Sequence, residues 1–302
     1  MNPSCVQRAA KVLLATVLLG AVPAAAVAAD VGGDLDEVKK RGVLRHLGIP
    51  YAGFVTGSGD GLDVELTRMF AERIGVRYEF VQTDWPTALP DLTGRQVSSK
   101  QADLAKAPAT PIRGDVLATG LTILPWRGRV ADFSTPVFPT QVWVVARADS
   151  PVQPIRPSGS IEKDIKEVKA ILAHRSLLGV SATCLDPSLY QIEATQAQVV
   201  LKKVRLDEVA PVLINGEGEL ALLDVADAMI ALQKWPGRLK VIGPISVRQE
   251  MGAAFRKDSP HLREAFDAFL AEVRRNGTYQ RLVKKYFPEA PTYFPDFFVA
   301  SR

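Results

Sequence analysis

Arg127 stands in the segment LTILPWRGRVADFSTP, residues 121–136, a few positions after an apolar run. A guanidinium can donate two parallel hydrogen bonds to a carboxylate, and this pair is stronger when water is excluded from it. Most arginines are solvated surface residues instead. On this segment alone, a surface role for Arg127 is therefore more common than an anion-binding one. Arg127 is therefore a candidate anion-binding residue whose role depends on the elements around it.

No pattern typical of a metal site or of nucleophilic catalysis accompanies this arginine. The three histidines, His46, His174 and His261, are scattered without metal-ligand spacing, and no Ser-His-Asp set is recognisable. The two cysteines are Cys5 and Cys184, and Cys5 lies in a segment that we expect to be removed. The sequence therefore predicts no catalytic residue, no metal, no cofactor and no internal disulfide.

Residues 1–29 have the pattern of a secretory signal peptide. Arg8 and Lys11 precede an apolar run that ends in small residues, with cleavage expected after Ala28 or Ala29. Removal of this segment lowers the formal net charge from +4 to +2, because two basic residues leave and no acidic one does. The rest of the chain has no block of basic residues, so we expect a soluble, exported protein with no nucleic-acid partner.

The elements that must position Arg127 alternate between strand and helix. A strand is predicted over residues 43–49, and a helix over residues 62–74 because its apolar residues recur at helical spacing. Another strand and another helix follow, whereas residues 95–113 are polar and contain two prolines, which predicts a loop. This alternation indicates an α/β domain with a largely parallel sheet.

A second α/β unit is predicted after a strong strand over residues 142–148 and a proline-rich link. Its elements include a helix predicted over residues 187–198. If the strand near Met251 returns to the first unit, the chain crosses twice between two lobes. The crossings would then form a hinge beside a cleft suited to a small ligand.

Four blocks of sequence occur in an order that is typical of one protein family. The blocks are GVLRHLGIPYAGF with GLDVELTRMFAERIGV, DVLATGLTILPWRGRVADFSTPVF, LLGVSATCLDPSLY, and EMGAAFRKDSPHLREAFDAFLAEVRRNGTYQRLVKKYF. From about Leu35 to Phe287 the chain resembles the type 2 periplasmic solute-binding proteins of the amino-acid family, the extracellular receptors of ABC importers. The order of the blocks is stronger evidence for the fold than for the ligand.

The resemblance implies an α/β fold of two lobes with a cleft between them and a two-strand hinge. The implied segments are the signal peptide (1–29), a discontinuous lobe 1 (30–146 and 247–302) and lobe 2 (147–246). It also implies a periplasmic monomer that binds a small carboxylate-bearing ligand, an amino acid or a relative of one, and that delivers it to an ABC transporter permease in the inner membrane.

The resemblance assigns ligand-binding roles to individual residues. Arg127 matches the arginine that pairs with a ligand carboxylate, and Asp224 matches the carboxylate that holds a ligand ammonium group, with Asp227 as a competitor. The remaining matched positions are small, hydroxyl-bearing or aromatic residues expected to line the pocket: Thr119, Gly120, Thr122, Tyr51, Phe54, Trp85, Ala182 and Thr183. Ordinary packing or helix capping remains an alternative for several of them.

Departures from the family pattern leave the ligand and the function open. Gly48 stands where an acidic residue is frequent, so one partner for an ammonium group is missing, and the loop over residues 95–113 is longer than expected. A carboxylate-bearing ligand is therefore better supported than an ammonium-bearing one. The alternatives are an orphan receptor, a sensor or regulatory domain related to those of lytic transglycosylases, and a cyclohexadienyl-dehydratase-like enzyme.

Overall fold

The structure, a computed structural model, describes residues 33–181 and 183–300. The predicted signal peptide, residues 1–29, lies outside the described residues. Within the described ranges, no helix has both the length and the apolar character needed to span a membrane.

Strands and helices alternate along the chain. In chain order the strands are β1 (Val43–Gly48), β2 (Arg77–Gln82), β3 (Val116–Leu117), β4 (Asp132–Phe133), β5 (Phe138–Thr140), β6 (Val142–Arg147), β7 (Ser176–Gly179), β8 (Gln198–Leu201), β9 (Leu220–Asp224), β10 (Leu239–Pro244), β11 (Gln249–Met251) and β12 (Ala254–Phe255). The α-helices are α1 (Leu35–Arg41), α2 (Leu62–Arg73), α3 (Ala88–Thr93), α4 (Pro125–Val130), α5 (Ile161–Ile171), α6 (Val209–Ile214), α7 (Val225–Lys234), α8 (Pro260–Arg275), α9 (Thr278–Tyr286), α10 (Ala290–Tyr293) and α11 (Pro295–Ala300).

The first sheet has the strand order β2-β1-β3-β12-β4. Strand β1 is parallel to β2 and β3, whereas β12 is antiparallel to β3 and β4. Helix α2 buries Leu62, Leu66 and Phe70 in the core, as the helical spacing of these residues predicted. The parallel part of the sheet confirms the α/β architecture expected from the sequence.

The second sheet has the strand order β10-β6-β9-β7-β8. Strand β6 is buried over five of its six residues, as expected of an inner strand with both faces covered. Residues up to 146 were expected in lobe 1, but β6 pairs antiparallel with β9 and β10 and so belongs to this sheet.

Two crossings connect the sheets. The chain passes from β4 through β5 into β6, and it returns from β10 through β11 to β12. Strands β5 and β11 form an antiparallel pair in which Met251 lies opposite Phe138. The return strand expected near Met251 is therefore present, and the two crossing segments are hydrogen-bonded to each other as a hinge.

One helix prediction is wrong. Residues 187–198 form two short 3-10 helices, Pro187–Tyr190 and Ile192–Thr195, instead of one α-helix. Gln191 and Gln196 have φ angles of 55° and 61°. A left-handed residue cannot continue a right-handed helix, so each of these glutamines ends a helical turn. The loop predicted over residues 95–113 is confirmed, with a single bridge between Arg95 and Ala109.

His46 is a buried histidine of β1 with both ring nitrogens in use. Its Nδ1 lies 2.8 Å from the Tyr78 hydroxyl, and its Nε2 lies 2.6 Å from the Ala118 carbonyl. A carbonyl can only accept, so Nε2 carries the proton and Nδ1 accepts from Tyr78. Burial, together with the positive charge of Arg68, lowers the pKa of His46 from 6.5 to about 4.

This histidine is expected to make the protein sensitive to acid. Because the folded-state pKa lies below the unfolded value, neutral His46 contributes stability above pH 6.5, and this is lost as the pH falls through about 4. The difference in unfolding free energy between the wild type and His46→Gln should shrink by about 3 kcal/mol between pH 7 and pH 4. Denaturant unfolding at several pH values measures it, and a pH-independent difference would contradict the assignment.

Candidate functional site

The candidate residues lie at the carboxyl ends of strands in both large sheets. Tyr51 follows β1, Trp85 follows β2 and Thr122 follows β3, while Thr183 follows β7 and Asp224 ends β9. Ligands of open α/β sheets bind at this end of the strands. Tyr51 and Trp85 line the same cavities as Thr183, so residues from both sheets meet in one cleft.

Arg127 lies in α4, which has Pro125 at its first position. Its Nη1 donates to the Thr122 carbonyl at 2.7 Å, and its Cζ lies 5.5 Å from the centroid of the Trp126 ring. Its Nε is buried without a hydrogen-bond partner, and none of the described acidic side chains forms an ion pair with it. Burial lowers the pKa of Arg127 to about 10, so the side chain remains a cation at neutral pH. A desolvated cation without a protein anion can bind an anionic group.

The Gly120 amide and the Thr119 hydroxyl are hydrogen-bonded to other groups of the first lobe. The Gly120 amide donates to Asp63 Oδ2 at 2.6 Å, so this expected ligand donor already has an acceptor. Gly120 has a φ of +63°, and a Cβ there would lie 2.4 Å from the Phe54 ring, so the position requires glycine. The buried Thr119 hydroxyl donates to the Ile49 carbonyl at 2.7 Å and accepts from the Ile49 amide at 3.1 Å.

The three candidate aromatic residues separate into two roles. Phe54 is fully buried and packs against Phe138 and Phe287, with ring centroids 5.2 and 4.7 Å away. Tyr51 stacks on Phe54 at 5.8 Å and meets Trp85 edge-on at 5.5 Å. Tyr51 and the half-buried Trp85 line the cleft, while Phe54 supports Tyr51 from the core.

The second lobe contributes a turn after β7 rather than the start of a helix. The Thr183 hydroxyl donates to the Val180 carbonyl at 2.8 Å and accepts from the Leu185 amide at 3.0 Å. Thr183 and Cys184 therefore line the cleft from a turn, and the first 3-10 helix after it begins at Pro187. Ala182, also expected in the site, lies outside the described residues.

Two buried carboxylates stand at the start of α7. Asp224 caps the helix by accepting from the Ala226 amide at 3.0 Å, and its two oxygens lie 2.7 and 2.8 Å from the Thr140 hydroxyl. Asp227 lies three residues further on, and its Oδ2 is buried without a hydrogen-bond partner. Burial raises the pKa of Asp224 to about 6, and burial with the charge of Asp224 raises the pKa of Asp227 well above its usual range.

These carboxylates act electrostatically on residues of the cleft wall. Burial, followed by the negative charges of Asp224 and Asp227, raises the pKa of Tyr51 and of Cys184 well above their usual ranges. The Tyr51 hydroxyl is buried and lies on the side of these two carboxylates, whose ionised forms it stabilises. Arg127 thus forms a cationic pole in the cleft wall, whereas Asp224 and Asp227 line neither cavity and form an acidic pole behind the wall, where they act on Tyr51 and Cys184.

Two adjoining cavities occupy the cleft. The smaller, of about 470 Å³, contains Arg127 and Thr122, while the larger, of about 690 Å³, is lined by Asp84 and by charged residues of segment 202–208. Tyr51, Trp85 and Thr183 line both. Within residues 33–181 and 183–300, no cluster of three or more His, Cys, Asp and Glu side chains could hold a metal ion.

Several residues of this region were not predicted from the sequence, and three of them are instructive. Trp126 lies beside Arg127 in the wall of the smaller cavity. Its position next to Arg127 in the sequence could have predicted this location. Asp63 is buried, and burial raises its pKa to about 7, although an acid in a first helical turn is usually solvated. Val97 belongs to the polar loop, and no local signal places it against the cavity.

Comparison with known proteins places this geometry in a family. Residues 110–289 match the family described as bacterial extracellular solute-binding proteins, family 3. The L-cystine-binding protein TcyJ of Escherichia coli is 26% identical over 84% of this chain and 86% of its own length. A mutant of ArgBP from T. maritima superposes with a TM-score of 0.64 and 25% identity, over 84% of this chain and 99% of that one.

A relative of a different kind also matches. The membrane-bound lytic murein transglycosylase F of Pseudomonas putida is 26% identical over 93% of this chain. The match spans only 53% of the transglycosylase.

Proposed function

The chain belongs to the bacterial extracellular solute-binding proteins of family 3, and we propose that it captures an α-amino acid or a related small carboxylate in the periplasm for an ABC importer. The proposal includes export by the signal peptide at residues 1–29, a monomeric state and a permease partner in the inner membrane. The names of the E. coli and T. maritima relatives support an amino-acid ligand. The protein acts by binding and release, without chemical change of its ligand.

The observation that carries this proposal is the unpaired guanidinium of Arg127 in the cleft. A ligand carboxylate there gains two charge-assisted hydrogen bonds in a place from which water is largely excluded. An α-ammonium group on the same ligand would be attracted to the buried carboxylates of Asp224 and Asp227, and Tyr51 lies in the cleft wall on the side of these acids.

Ligand capture is proposed to close the two lobes. Lobe 1 carries Arg127, and lobe 2 carries Thr183 and Cys184 in the wall of the same cavity, so one ligand contacting both lobes would favour a closed arrangement over an open one. The paired strands β5 and β11 are the segments where the backbone can bend. The permease would then distinguish the closed, loaded form from the open form.

A ligand panel tests this function directly. Thermal unfolding of the mature protein should be measured with each proteinogenic amino acid and with simple organic acids. A ligand that binds only the folded state raises the melting temperature by mass action. We expect a rise with at least one α-amino acid, and no rise with any member of the panel from well-folded protein would contradict the proposal.

A sensor or regulatory role is the second candidate, supported by the transglycosylase match over 93% of the chain. Such a domain would bind its ligand through the same poles but would signal to another protein instead of delivering cargo. The two roles are distinguished by uptake. Deletion of the gene should abolish import of the ligand if the protein serves an importer, and should leave import unchanged if it serves only as a sensor.

A further inference from the structure

The smaller cavity has a chemical character that the family relationship does not predict. Arg127 is the one charged residue among the described residues that line it. Its other walls are apolar or uncharged, and the apolar side chains include Trp85, Leu89, Val97, Leu121, Trp126 and Leu206. Beyond the carboxylate partner, this space is therefore a neutral and largely apolar subsite.

One wall of this subsite comes from an excursion of the chain over residues 94–110. The excursion is closed at its base, because the Gln96 amide donates to the Pro108 carbonyl at 2.8 Å and the Thr110 amide donates to the Gly94 carbonyl at 2.9 Å. Almost all of it precedes the family match, which begins at residue 110. Because hydrogen bonds close its base, the excursion is an ordered part of this chain's fold.

The excursion presents different residues to the core and to the cavity rim. Val97 is 3% exposed and belongs to the same apolar cluster as Leu89 and Val130. Ser98 and Gln101 exchange backbone hydrogen bonds at 3.1 Å, and this turn holds Ser98 and Ser99 in the cavity wall. The excursion therefore supplies an apolar wall and an uncharged rim.

We propose that this subsite receives the side chain of an α-amino acid whose side chain is bulky and uncharged, so that the protein discriminates against arginine and lysine. The inference rests on the proposed function. Arg127 lines the smaller cavity and not the larger one. A carboxylate paired with Arg127 therefore places the ligand Cα and Cβ, only one and two bonds from the carboxylate carbon, at the same subsite.

The discrimination follows from the charges in the walls. An apolar side chain gains by leaving water for the tryptophan and leucine side chains. A side-chain guanidinium or ammonium group in the smaller cavity would lose its hydration with no carboxylate in the described lining to replace it, and it would lie close to the cationic Arg127. To meet Asp84, Asp207 or Glu208 it would have to extend into the larger cavity. Cationic ligands are thus disfavoured even though a similar structure is that of an arginine-binding protein.

Calorimetric titration with L-phenylalanine, L-leucine, L-arginine, L-lysine and L-cystine tests the proposal. We expect L-phenylalanine or L-leucine to bind at least about tenfold more tightly than L-arginine or L-lysine. Tighter binding of L-arginine, L-lysine or L-cystine would overturn the subsite assignment and leave the proposed function standing. Binding of no amino acid at all would overturn both.

A matched pair of variants tests the role of the excursion. Ser99→Glu adds one negative charge in the cavity wall, and Gln101→Glu adds the same charge two residues away at an exposed position outside the lining. We expect Ser99→Glu to shift the arginine-to-phenylalanine affinity ratio toward arginine by about tenfold, and Gln101→Glu to leave it within about twofold. Equal ratios in the two variants would overturn the proposal.

Discussion

Replacing Arg127 with alanine is expected to weaken ligand binding by about 3 kcal/mol, roughly a hundredfold. The guanidinium is desolvated and has no carboxylate partner among the described residues, so its charge is available to the ligand. The same substitution should not lower the free energy of unfolding by more than about 1 kcal/mol, because it removes a half-buried cation that no described acid neutralises. Calorimetric titration and denaturant unfolding of the variant measure these two quantities.

Two control variants separate charge from geometry. Arg129→Ala removes an exposed arginine two positions away and should leave affinity within about twofold. Arg127→Lys keeps a positive charge without the two parallel donors, so we expect an intermediate loss of about tenfold. Equal loss in Arg127→Ala and Arg129→Ala would show that net charge, and not pairing at this position, controls binding.

Replacing Asp115 with alanine is expected to lower the free energy of unfolding by about 3–5 kcal/mol. Asp115 is fully buried, and its oxygens accept from Arg41 Nη2 at 2.6 Å and from Arg45 Nη2 at 2.9 Å. Burial opposes ionisation, but the hydrogen bonds from Arg45 outweigh it, and the pKa of Asp115 lies below its usual value. Without this carboxylate, the buried Arg45 side chain would lose this counter-charge, and the buried Arg256 side chain would keep only its pair with the exposed Asp258.

A surface pair on the same sheet provides the control for Asp115. Asp132 lies 2.8 Å from Lys257 Nζ, and both side chains are about 40% exposed. Asp132→Ala should therefore cost less than about 1 kcal/mol. Denaturant unfolding of both variants at pH 7 measures the contrast, and comparable losses in the two would contradict the importance given to the buried cluster.

The sequence predicted the parts of the fold that depend on local periodicity. The helical spacing of Leu62, Leu66 and Phe70 and the unbroken apolar run of β6 both matched the structure. The failed helix over residues 187–198 depended on the backbone of Gln191, and glutamine carries no signal for a left-handed conformation. Sheet membership of β6 was also misassigned, because strand pairing is a tertiary property.

The candidate site was predictable in position more than in detail. Motif order placed Arg127, Tyr51 and Trp85 at the cleft, where the structure has them. It could not tell that the Gly120 amide is bonded to Asp63, since that contact joins residues 57 positions apart. Motif order also did not indicate how the excursion over residues 94–110 folds back, because the hydrogen bonds that close it follow no sequence periodicity.

The pairing of Arg127 with a ligand carboxylate can be measured by comparing the affinity of a bound amino acid with that of its own amide. In the wild type, the amide should bind at least about a hundredfold more weakly, because it lacks the negative charge that the guanidinium meets. In Arg127→Ala the two should bind within a fewfold of each other, because the carboxylate has lost its partner. A preference for the carboxylate of the same size in both proteins would contradict the account.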